Sequence, residues 1–68
     1  MTTRLFSPWG WVYTYTPQGD GVRLVSSYRS ESTREQLLGL AEAREHYRAM
    51  RRRLRAVWAR WRGGEAEI

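Results

Sequence analysis

Glu42 and His46 stand four residues apart, a spacing that puts both on one face of a helix. Such a pair could act as a base and its orienter, or supply two ligands to a metal. Neither set closes, because the chain has one His and no Cys. Ser26-Ser27 lacks the strained strand-to-helix elbow that exposes a nucleophile. Gly19-Asp20-Gly21 shares its glycines with phosphate loops, but no GK[ST] follows. These residues predict no catalytic group, no metal and no cofactor, and so a protein that is not an enzyme.

The stronger chemistry is cationic. All twelve basic residues are Arg, and the net charge is +5. The excess is local: residues 48–62 hold seven Arg and no acid. Guanidinium is a planar fork that grips phosphate or carboxylate with two parallel hydrogen bonds and stacks on rings. Arg44, Arg48, Arg51, Arg55 and Arg62 follow helical spacing along one flank, with Arg52 on the side away from the apolar positions. Arg53 and Arg60 lie on the other flank. Trp58 stands just off the apolar stripe, where its ring could stack on a base or anchor in a partner's pocket. Arg23 and Arg29 form a possible second surface. This pattern predicts contact with nucleic acid or an acidic nucleoprotein partner. The alternative is a regulator or inhibitor of the kind phages and mobile elements encode, gripping a host protein through aromatic and Arg hot spots. A membrane surface fits less well, since Arg surrounds the stripe too widely to leave one clean polar face.

Positioning those side chains requires two kinds of element. Ser7-Pro8-Trp9-Gly10 is a turn signal, and Thr2–Phe6 before it could be a short strand. Trp11–Thr16 alternates strictly, with Trp11, Tyr13 and Tyr15 on the expected core face and Val12, Thr14 and Thr16 on the wet one. Residues 17–21 read as a five-residue turn and Val22–Tyr28 as the next strand. Ser32-Thr33-Arg34-Glu35 matches a capping box, and Gly63-Gly64 is a plausible helix stop. Between them Leu40, Ala43, Tyr47, Met50, Leu54, Val57 and Trp61 recur at 3,4 spacing, the pattern of a coiled-coil seam.

The fold expected is α+β: a two- or three-stranded antiparallel meander over residues 2–29, then one long amphipathic helix over 32–62. Together they form a single domain over 1–64, and an acidic frayed tail follows at 65–68. A helix of that length spans about 45 Å, more than a short sheet covers. The seam from Met50 onward therefore suggests a homodimer through the helix. No apolar run approaches the roughly 18 residues of a membrane span. With no Cys and no signal-peptide pattern at the start, the chain reads as cytoplasmic.

At the level of architecture, a three-stranded sheet followed by a helix resembles the N-terminal arm-binding domains of tyrosine recombinases. The stretch WVYTYTPQGDGVRLVSSYRSESTREQ has a similar rhythm. The resemblance implies a sheet face set into the DNA major groove. The helix here is longer and carries the charge, which departs from that pattern.

Overall fold

The computed structural model describes residues 1–62, the side chain of Arg62 excepted. The Gly63-Gly64 stop and the acidic tail lie outside the described residues. Four strands, β1 (Thr3–Phe6), β2 (Trp11–Gln18), β3 (Gly21–Tyr28) and β4 (Glu31–Gly39), lead into one helix, α1 (Leu40–Arg62). The strands form an antiparallel meander in the order β1-β2-β3-β4. The α+β class, with a meander followed by a long C-terminal helix, is as the sequence predicts. The strand count and the helix start are not.

Residues 31–39 form a strand where the capping-box match predicts the first turns of a helix. Two features outweigh that local signal. The β3–β4 connection is a tight turn at Arg29 and Ser30, both in the left-handed region at φ 51° and 74°. Positive φ at both central residues is the type I′ geometry that matches strand twist. Leu38 then lands opposite Val22 and is buried beside Leu24 and Tyr15. Ser32 and Glu35, read as the two halves of a cap, are instead exposed residues of β4. The register shifts between Ser26 and Ser27. Thr33 is the extra residue of this bulge, and its hydroxyl donates to the Ser26 carbonyl at 3.1 Å.

The other turns sit close to their sequence signals. Ser7 is buried, and its Oγ accepts the N–H groups of Trp9 and Trp11 at 3.3 and 3.0 Å. Gly10, at φ 100°, lets the chain reverse there. β2 continues through Pro17 and Gln18, so the expected five-residue turn shrinks to Gly19-Asp20. Pro17 is tolerated because β1 pairs only with Val12–Tyr15. Beyond that stretch β2 has an open side where a missing N–H breaks no ladder bond.

Period two sorts the core. Tyr15 faces Leu24 across β2–β3, and both are buried with Leu38 and Ala43. Leu5, Tyr13, Val22 and Tyr47 pack around them. Trp11, Tyr13 and Tyr28 continue this face as a row of rings, with centroids 6.2 and 5.1 Å from Trp11. Among the described residues the opposite face carries no second layer. Its one ion pair joins Arg23 to Glu35 on the neighbouring strand.

The helix starts eight residues later than the capping box suggests, with Gly39 before it and Glu42 in its first turn, where negative charge suits the dipole. Its 23 residues extend about 35 Å. The N-terminal half lies on the core, Tyr15 meeting Tyr47 edge-on at 5.4 Å. The C-terminal half rests on β1 and the Ser7–Gly10 turn. Leu54 is only 6% exposed, Trp58 hydrogen-bonds the Phe6 carbonyl, and Trp61 meets Trp9 edge-on at 6.4 Å. Within one chain Leu54 is thus covered, Met50 and Val57 are half-buried, and Trp61 stays 43% exposed.

Candidate nucleic-acid interface

Side chains at 44, 48, 51 and 55 advance by four, three and four residues, which keeps them on one helix flank. Docking turns this flank toward the β1 edge of the sheet. Arg48, Arg51, Arg52 and Arg55 line a cleft of about 230 Å³, with no other described residue in its wall. Arg51 and Arg55 also border an adjoining cleft of about 360 Å³, completed by Arg4, Leu5, Phe6, Leu54 and Trp58. Five exposed arginines from two elements therefore border two clefts that share Arg51 and Arg55. No acid among the described residues lines either cleft. Among the described residues the one ion pair is Arg23–Glu35, and it includes no helix arginine.

That arrangement has an electrostatic cost. Like charges at i,i+4, such as Arg48–Arg52 and Arg51–Arg55, oppose helix formation by roughly 0.2–0.5 kcal/mol each. Cations near the helix C-terminus recover a similar amount from the dipole. The balance is close to neutral for stability. Positive charge focused in a cleft raises the local concentration of anions.

The remaining candidates fall elsewhere. Arg44 lies one turn back, at a separate groove of about 260 Å³ with Thr3, Tyr15, Val22, Leu40, Ala43 and Tyr47. Arg53 and Arg60 are exposed on the flank away from the clefts. Arg62 closes the helix, and its side chain lies outside the described residues. Trp58 is half-buried, and its indole N–H is held by Phe6 at 2.7 Å. Its ring forms cleft wall rather than a free stacking blade. Arg23 and Arg29, the other pair of arginines, are both exposed. Arg23 is paired with Glu35, while Arg29 sits in the β3–β4 turn over the Tyr28 ring at 5.4 Å.

The seam residues divide as well. Leu54 is buried; Tyr47, Met50 and Val57 are half-buried; Leu40 and Trp61, at 56% and 43%, stay exposed. Of the catalytic candidates, His46 turns away from Glu42: its Nδ1 meets the Tyr15 hydroxyl at 2.8 Å. Burial foremost, then the neighbouring Tyr13 and Tyr47, pushes the Tyr15 phenol up to about 12. It keeps its proton at neutral pH. Ser26-Ser27 lies in β3 at the bulge, and Gly19-Asp20 closes a hairpin with no helix after it. Among the described residues no three His, Cys, Asp or Glu side chains gather to hold a metal. Nor is any helix of these residues long and apolar enough to cross a membrane.

Arg4 and Phe6 are the site residues that sequence reasoning missed. Alternation along β1 places both on the side opposite Leu5, but nothing local links them to residues some fifty positions later. The link is made by α1 lying along β1. No family model, curated protein or solved structure matches the chain.

Proposed function

We propose that this chain is a non-enzymatic, cytoplasmic nucleic-acid-binding protein that holds the phosphate backbone with Arg4, Arg48, Arg51, Arg52 and Arg55. The carrying observation is the cleft walled by four arginines of one helix, beside a second cleft that Arg4 borders, with no acid among the described residues of either lining. A solvated arginine face spreads its charges to reduce repulsion. This one gathers them around a concave surface, where a chain of phosphates could release their counterions.

The test is a salt titration of binding to random duplex DNA and to single-stranded RNA. Each phosphate neutralised contributes about 0.9 to the slope of log affinity against log salt on duplex, and about 0.7 on a single strand. Replacing Arg48, Arg51 and Arg55 together with Gln should leave the circular dichroism unchanged. The same variant should flatten the duplex slope by up to ~2.7. Absence of binding to either nucleic acid at low salt overturns the reading.

A second reading rests on a different observation. Phe6, Trp9 and Trp61 are large apolar side chains left open at one end of the molecule, as in an aromatic hot spot for a protein partner. A regulator of a host protein would hold its partner with little salt dependence, which the same titration distinguishes.

A further inference from the structure

We propose that the groove between the first turns of α1 and the sheet binds a small aromatic carboxylate, held by Arg44 at the rim of an apolar floor. The site stands apart from the arginine clefts and does not depend on the phosphate-binding reading.

The groove, of about 260 Å³, takes its walls from both layers. Leu40, Ala43, Arg44 and Tyr47 recur at i, i+3, i+4 and i+7, so one side of α1 supplies them. Thr3, Tyr15 and Val22 supply the sheet side. The registers put all three on the helix-facing side of the sheet. Thr3 lies opposite Tyr15, Tyr15 lies opposite the buried Leu24, and Val22 precedes Leu24 by two residues.

The space comes from Ala43. Every other residue of the helix stripe is larger, and here the small one leaves room above a buried floor of Tyr15 and Ala43. Tyr15 and Tyr47 meet at an interplanar angle of 85°. Their rings make a right-angled corner, where a flat ring packs on the face of one and the edge of the other. The Tyr15 hydroxyl is already engaged by His46. Leu40, at 56% exposed, stands at the rim as a large apolar side chain that an occupant covers.

One cation faces this apolar surface. Arg44 is exposed at the rim, and no acid among the described residues lines the groove. Glu42 and Glu45, its neighbours on α1, lie outside the lining. The groove also meets α1 at its first turns, where the dipole favours an anion. An aromatic ring bearing a carboxylate presents the matching pattern. Its ring sits in the tyrosine corner, and its carboxylate accepts two parallel hydrogen bonds from the Arg44 fork. A bare phosphate has no counterpart for these walls, because desolvating an anion over apolar surface is costly. The volume lies just below the usual range of ligand pockets, roughly 300–1,000 Å³, which limits the occupant to a small ring system.

The experiment titrates the full chain with naphthoate and with its uncharged counterpart naphthylmethanol, following backbone amide resonances by NMR. Naphthoate should shift the amides of Val22, Ala43, Arg44 and Tyr47. It should bind about fivefold tighter than the alcohol, the upper worth of one exposed ion pair. Arg44→Gln should bring naphthoate down to the affinity of the alcohol and leave the alcohol unchanged. Leu40→Ser should weaken both. Both replaced residues are exposed, so the fold stays intact. Equal affinity of the two probes overturns the inference, as do shifts centred on Arg51 and Arg55. So does an Arg44→Gln variant that binds naphthoate like the native chain. Absence of shifts with either probe at about 10 mM also overturns it, since a ligand of this size reaches a roughly millimolar dissociation constant.

Discussion

Trp58 donates its indole N–H to the backbone carbonyl of Phe6 at 2.7 Å, across 52 residues of sequence. This bond ties the last turns of the helix to the last residue of β1 and brings Arg51 and Arg55 alongside Arg4. Replacing Trp58 with Phe keeps an aromatic ring and deletes the donor. The expected loss is about 1 kcal/mol, the usual net worth of one such bond, read as a lower urea midpoint at unchanged m-value. An unshifted midpoint shows that the bond does not hold the helix end.

Ser30 pays a backbone penalty that glycine does not. Its φ of 74° lies in the left-handed region, which costs a residue with a Cβ roughly 1–2 kcal/mol. Ser30→Gly should therefore stabilise the protein by up to about 1 kcal/mol, after the greater entropy of glycine in the unfolded chain is subtracted. Thermal denaturation measures it, and a fall in Tm refutes the I′ assignment.

Tyr15 makes stability depend on pH at the alkaline end. Its folded-state value, pushed up to about 12 chiefly by burial, lies above the unfolded value of about 10. The unfolded chain loses this proton first. The contribution is thus full below pH 10 and is lost as pH rises toward 12. Two units correspond to about 2–3 kcal/mol. Urea titrations at pH 9 and pH 11 should show the drop, and Tyr15→Phe should shrink it. An equal drop in that variant assigns the effect to another group.

The central hairpin and the seam were legible because their signals are repeated. Trp11, Tyr13 and Tyr15 alternate over a whole strand, and apolar residues recur from Leu40 to Trp61. β4 was illegible for two local reasons. The Arg29-Ser30 turn holds none of the Gly or Asn that marks I′ geometry, and Ser32 with Glu35 mimics a helix cap. Tertiary pairing with β3 decided the segment against its propensity. The arginine flank could be read from spacing alone. Its partners Arg4 and Phe6 could not, because helix docking creates that proximity.

Every strand pairs with its sequence neighbour, and this order has a kinetic consequence. Hairpins joined by two-residue turns close in microseconds with little loop entropy to overcome. The docking of α1 onto β1 joins residues some fifty positions apart and is the one slow closure in the molecule. Arg4 is made some fifty residues before Arg55, so the arginines around the clefts are brought together last. A ligand that bridges Arg4 and Arg55 acts on that final step: it slows undocking of the helix and leaves hairpin formation unchanged.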